Sequence, residues 1–160
     1  MSHSPGKKFE EDFIKSVPDR CDITRLKDAG GWSNATNLRF TIKNPCDFII
    51  YSRETRTMYK LELKSVAGKS MPFSNIKPKK QHRNKFIKDL CDSHERGVSS
   101  AFIINFRGKN ETYMIYADEM RNLIENCGRK SISIVDASCN GIKIVQSLIS
   151  VRWRYILEWL

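Results

Sequence analysis

No apolar run in the sequence approaches the roughly 18–20 residues needed to cross a bilayer, so it offers no candidate membrane helix. The opening residues, MSHSPGKKFEED, lack the apolar centre of a secretory signal, and a cytoplasmic location is the expectation. Cysteine is sparse and unpaired: Cys21, Cys46, Cys91, Cys127 and Cys139 are odd in number and form no CxxC. That spacing fits neither a disulfide framework nor a structural zinc site, and predicts reduced, mostly buried thiols. His3, His82 and His94 are too scattered for a metal triad and read as surface residues. Internal repeats and low-complexity tracts are absent.

What remains is a chain of 160 residues, 40% hydrophobic and 29% charged, the size and balance of one globular domain spanning residues 1–160. Its formal net charge is +10. A basic balance favours a polyanionic partner, because each phosphate neutralised releases counterions. The charge is concentrated: between Arg53 and Lys88, eleven lysines and arginines face only Glu54 and Glu62. A surface that contacts DNA explains this clustering better than charge spread for solubility.

Apolar periodicity predicts a helix over 6–16, with Phe9, Phe13 and Val17 on one stripe and Pro18 as its stop. A short strand is expected over 21–26. The stretch 28–43, containing AGGWSNATN, reads as a long loop of the kind that is often functional. Within it, Trp32 either stacks on an unpaired base or anchors the loop. Strands over 47–52 and 57–65, joined by RETR, predict a hairpin. Residues 66–78 read as loop and 79–92 as helix. A strand pair is expected over 101–106 and 112–116. A helix over 118–126 follows, with Asp118 as N-cap and Gly128 as stop. A last strand over 142–148 and a terminal helix over 152–160 complete the order. Trp153 and Trp159 read as packing or dimer contacts on that helix. The order predicts an α/β domain with a mixed sheet.

The chemistry concentrates in MYKLELKS, residues 58–65. On a strand, Tyr59, Leu61 and Leu63 face one side and Lys60, Glu62 and Lys64 the other. Asp47, at the start of the neighbouring strand, can be brought beside Glu62 by the hairpin. Two carboxylates suit a hard cation such as Mg2+, which acidifies water and polarises a phosphate. A nearby lysine orients the water or holds a nonbridging oxygen. The bare string D-x14-E-x-K also fits a solvated strand face with a salt bridge. The alternation, the apolar run upstream and the local basic excess favour the chemical reading.

The wider pattern resembles the PD-(D/E)-x-K nucleases, with their restriction-endonuclease-like core of a mixed central β-sheet flanked by helices. More narrowly, it resembles the RecU-type Holliday-junction resolvases, especially short phage and prophage relatives. The resemblance is carried by Gly6 with Phe9-Glu10, Asp22-x-x-Arg25-Leu26-x-Asp28 and Asn44-Pro45-Cys46-Asp47-Phe48. Leu61-Glu62-Leu63-Lys64-Ser65, Gly68-x-Ser70-x-Pro72-Phe73-x-Asn75-Ile76 and Gln81 extend it, so that it runs from about Gly6 to Phe106.

That resemblance implies Asp47 and Glu62 as metal carboxylates, Lys64 as catalytic lysine, Glu10 as a further acid reaching the metal, and Gln81 near the scissile phosphate. Expected DNA contacts are Lys60, Ser65, Lys69, Ser70, Lys77, Lys79, Lys80 and Arg83. It also implies Mg2+, with Mn2+ as substitute, as the cofactor of a homodimer that resolves four-way DNA junctions in recombination and repair, in the host cytoplasm if phage-encoded. A recombinase partner is compatible with that role but not specified by any motif. The chain departs from the larger bacterial members in its short 29–43 loop, where they carry a long stalk, and in having few residues before Gly6. Two other readings fit the same residues: a PD-(D/E)-x-K nuclease acting on other DNA, and a non-catalytic DNA-binding recombination accessory protein.

Overall fold

The computed structural model describes residues 4–26, 44–76 and 85–160. The expected loop over 28–43 with Trp32, and Lys77, Lys79, Lys80, Gln81, His82 and Arg83, lie outside the described residues.

The centre is a mixed sheet of six strands, β1 (Cys21–Arg25), β2 (Phe48–Ser52), β3 (Thr57–Val66), β5 (Ser99–Phe106), β6 (Glu111–Tyr116) and β8 (Ile142–Ile144), in that spatial order. All neighbours are antiparallel except β3 and β5, which run parallel. Strand β5 reads SSAFIINF and is buried on both faces along most of its length, as a continuous apolar run in a covered sheet should be. The predicted hairpin is β2–β3, closed through Arg56 in the left-handed region at φ 53.

One face of the sheet carries α1 (Pro5–Ile14), whose Phe9 and Phe13 pack on Phe48, Leu61, Leu63 and Ile103. The other face carries α2 (Lys85–Glu95), α3 (Ala117–Asn126) and α4 (Ile134–Asn140), packed on Phe102, Ile104, Phe106 and Ile115. Among the described residues no helix is long and apolar enough to cross a membrane. The described cysteines are all free, with Cys21, Cys46 and Cys91 buried and Cys139 exposed.

Several expectations need correction. Residues 66–78 are not all loop: β4 (Ser70–Pro72) and a 3-10 turn (Phe73–Asn75) bury Met71 and Phe73. Strand β4 pairs with β7 (Ser131–Ser133), a long-range partner that local pattern does not reveal. Asp118 does not cap α3; Tyr116 occupies the N-cap and Asp118 sits in the first turn, while Gly128, at φ 65, follows the helix end as expected. The capped helix the sequence reading missed is α4, where Ser133 and Asp136 form a reciprocal capping box.

The terminal helix is also overturned. Residues 146–149 and 152–155 form a hairpin, β9 (Gln146–Ile149) and β10 (Arg152–Tyr155), turned through Ser150 at φ 59. The edge of β10 is satisfied by α1: Trp153 N donates to Asp12 Oδ2 at 3.2 Å and Tyr155 N to Ser16 Oγ at 3.0 Å. These tertiary acceptors outweigh a weak helical spacing of apolar residues. The chain end then lies against the sheet, with Ser52 Oγ donating to Leu160 O at 2.6 Å and Tyr59 OH to Trp159 O at 2.7 Å. Trp153 and Trp159 are packing residues within that arrangement.

Gly141, between α4 and β8, has no room for a side chain. A Cβ there would stand 2.7 Å from Met114 O, 2.8 Å from Ala137 O and 2.9 Å from Ile115 Cγ1. Two of these neighbours are backbone and cannot swing aside. Gly141→Ala is therefore expected to cost about 2–3 kcal/mol, in the range of core overpacking. In a chain of this size the melting temperature should fall by roughly 5–10 °C; an unchanged melt would show that β8 is free to shift.

Candidate active site

The site lies at the end of the sheet where β3 and β5 finish and β2 begins. Alternation along β3 buries Leu61 and Leu63 beneath α1, as predicted, and turns Lys60, Glu62 and Lys64 to the opposite face. Asp47 immediately precedes β2 and extends its pairing: Asp47 N donates to Leu61 O at 3.0 Å, and Asp47 O accepts from Leu26 N at 2.9 Å. Its side chain then takes over where the ladder ends, with Oδ2 accepting from Leu63 N at 2.7 Å. The register, carried one residue beyond Phe48↔Leu61, puts Asp47 next to Glu62, close enough for its charge to act on the Glu62 carboxyl. Lys64 Nζ donates to Glu62 Oε1 at 2.5 Å.

Glu62 is 6% exposed. Burial pushes its pKa up to about 7, and the nearby Asp47 charge adds to that, while Lys64 pulls the other way. Desolvated beside a second acid, Glu62 keeps its proton up toward neutrality. Cys46, beside them, is buried and its thiol is pushed up to about 11 by desolvation, with Glu62 adding to it; it stays protonated and donates to Phe48 O at 3.3 Å.

Glu10 projects from α1 toward the same end of the sheet. It forms an ion pair with Arg25 of β1, and is half-shielded. Burial raises its pKa, and Asp47 raises it further, while Arg25 and Lys64 lower it. It thus feels the charges of the site while its carboxylate is engaged by Arg25. Among the described residues no three His, Cys, Asp or Glu side chains converge as a ready-made ligand set. The donor set brought together by the register is the Asp47–Glu62 pair. Paired hard oxygen donors suit Mg2+, which keeps several waters and is commonly held through one or two carboxylates.

The basic candidates separate. Lys60 is half-buried and donates to Ser93 Oγ of α2 at 2.8 Å, so its ammonium is turned inward. Lys69 and Ser70, just before and at the start of β4, are exposed. Ser65 alternates to the face away from Lys64, where its hydroxyl donates to Asn105 Oδ1 at 3.3 Å and accepts from Arg107 Nη1 at 3.3 Å. Asn105 and Arg107, forty and more residues away in sequence, were invisible to local motif reading.

Against known proteins, the family model for RecU, Recombination protein U, matches residues 20–158. The chain belongs to the RecU family. No protein in the curated set matches it by sequence. Among solved structures, this RecU chain is similar to Hjc, a Holliday junction resolvase from the archaeal hyperthermophile Archaeoglobus fulgidus. The TM-score is 0.53 at 11% identity, covering 86% of this chain and 93% of that one. At such identity the likeness establishes the fold, and it agrees with the restriction-endonuclease-like core expected from the sequence. RecU membership also places Asp47, Glu62 and Lys64 within the matched span, whereas Glu10 precedes it.

Proposed function

We propose that this RecU-family chain is a divalent-cation-dependent DNA endonuclease that resolves four-way junctions during recombination, working in the cytoplasm. The observation that carries this reading is the strand register that sets Asp47 beside Glu62, with Lys64 hydrogen-bonded to Glu62 at the end of a nuclease-like sheet. Family membership and the fold shared with a Holliday junction resolvase support the substrate.

Asp47 and Glu62 are the residues that hold the cation, Mg2+ or its substitute Mn2+. When bound, the ion supplies Lewis acidity, promoting in-line attack by water and withdrawing charge from the scissile phosphate. Asp47 is fixed for this work by the Leu63 N–H, so its free carboxylate oxygen needs no reorganisation. On binding the ion, Glu62 would give up its proton to solvent. Lys64, hydrogen-bonded to Glu62, offers its ammonium to the phosphate, where negative charge develops. The products are a 5′-phosphate and a 3′-hydroxyl. Glu10 adjusts the charge of the site through Arg25, and Gln81 is assigned to the scissile phosphate. Two symmetric cuts in one junction require two such sites, which a C2 homodimer provides.

The test compares cleavage of a synthetic four-way junction with cleavage of a linear duplex of matched sequence, with Mg2+ and with Mn2+. Junction cutting should exceed duplex cutting by at least tenfold. Equal cutting of both removes the junction assignment. A chain that binds both but cuts neither is an accessory protein.

A further inference from the structure

We propose that Arg107 is a DNA-positioning residue that grips a backbone phosphate at the active-site end of the sheet; this rests on the endonuclease reading above. Arg107 follows β5 and so stands at the same end of the sheet as Asp47 and Lys64, one strand over from β3. Its backbone is tied to β3 by Arg107 N donating to Val66 O at 3.0 Å. The next residue, Gly108, is pressed so closely on β3's exit that a Cβ would stand 2.3 Å from Ala67 O. The turn continues through Lys109 N donating to Phe106 O at 2.9 Å. The position of this turn is therefore fixed relative to Lys64.

The side chain is fixed too, and by a chain of hydrogen bonds with one consistent direction. Thr112 Oγ1 donates to Gln146 Oε1 at 2.5 Å, Asn105 Nδ2 donates to Thr112 Oγ1 at 2.8 Å, and Ser65 Oγ donates to Asn105 Oδ1 at 3.3 Å. The Ser65 oxygen is left as an acceptor, and Arg107 Nη1 fills it at 3.3 Å. Asn105 and Thr112 are buried, so this row does not rearrange cheaply. It holds an exposed guanidinium beside the end of β3, anchored at Ser65, one residue beyond Lys64 and on the other face of the strand.

Among the described residues no carboxylate pairs with Arg107, in contrast to Arg25, Arg53 and Arg129, each of which has an acidic partner. One nitrogen of its planar fork is used, and the others are presented to solvent. A guanidinium with a set orientation and spare donors matches a phosphate. Exposed Lys109 on the same turn adds charge without a comparable tether. The fold does not need the Arg107 side chain, because backbone bonds hold the turn and Ser65 already has Asn105 as a partner.

The test uses the full chain and its Arg107→Gln, Arg107→Lys and Ser65→Ala variants. Binding to a labelled four-way junction and to a matched duplex is measured without divalent cation over a range of salt. Arg107→Gln should bind both DNAs about tenfold more weakly near 0.1 M salt, with a log K against log salt slope shallower by about 0.9, the signature of one lost phosphate contact. Arg107→Lys should keep the slope but recover only part of the affinity, and Ser65→Ala should weaken binding about threefold with the slope intact. In Mg2+, Arg107→Gln should raise KM with kcat within a few-fold of the unsubstituted chain. An unchanged slope and affinity in Arg107→Gln overturns the proposal, as does a loss accompanied by a lowered melting temperature and no slope change. Failure of the unsubstituted chain to cut any DNA refutes the endonuclease reading instead, and the binding measurements still decide the role of Arg107.

Discussion

Asp47→Asn is expected to lower junction cleavage by at least a thousandfold while the protein still folds. Loss of a cation ligand removes several kcal/mol of transition-state stabilisation, and each factor of ten corresponds to about 1.4 kcal/mol. The fold survives because the asparagine carbonyl oxygen can still accept from Leu63 N, the bond Asp47 Oδ2 makes at 2.7 Å. Asp47→Ala separates the two duties of this residue. It should be equally inactive, and also less stable by about 1–3 kcal/mol, because a half-buried backbone N–H loses its acceptor. Cleavage rates with Mg2+ and thermal melts of the three proteins check both parts. Cleavage by Asp47→Asn within tenfold of the unsubstituted chain would remove Asp47 from the chemistry. Equal melting temperatures for the Asn and Ala variants would remove its structural duty.

Glu62→Gln should do something less usual: destroy activity and raise stability. The Glu62 carboxyl is raised by burial from 4.5 to about 7. Between those values the folded state holds a proton that the unfolded chain has released. Stability is then fully present below about pH 4.5 and declines as pH rises through about 7, a total of about 3 kcal/mol for a shift of this size. A neutral amide escapes that loss. Without divalent cation, Glu62→Gln should therefore melt roughly 6–12 °C higher than the unsubstituted chain at pH 8 and equal it near pH 4.5. Mg2+ should close the gap from the other side, by stabilising only the chain with both carboxylates. Parallel melting curves for the two proteins from pH 5 to 8 would show that Glu62 is not strained at neutrality.

The legible parts of this site were those written in a short period. Strand alternation over 58–65 gave the face of Glu62 and Lys64, and the apolar run FIIY gave the strand expected to begin at Asp47, so one hairpin was enough to bring them together. What the local sequence did not carry was set by distant partners. Ser65 belongs to a row completed by Asn105, Thr112 and Gln146, and only strand order places them together. Strand β7 exists because Met71 and Ile132 share a core with Phe73, and β10 because Asp12 of α1 and Ser16 just beyond it accept its free N–H groups. Short strands of three or four residues have little pattern of their own, and tertiary pairing decides them. Lys60 shows the same limit for charge: it counted toward the basic stretch, yet its ammonium is turned in to Ser93.

The most direct test of the account is the heat of Mn2+ binding at pH 6.5, measured in two buffers of different ionisation enthalpy. With Glu62 titrating at about 7, each ion bound should displace roughly three-quarters of a proton into the buffer. Glu62→Gln should release none and bind at least tenfold more weakly. Ion binding with no proton release, or undiminished affinity in the glutamine variant, would mean that the cation sits somewhere other than between these two acids.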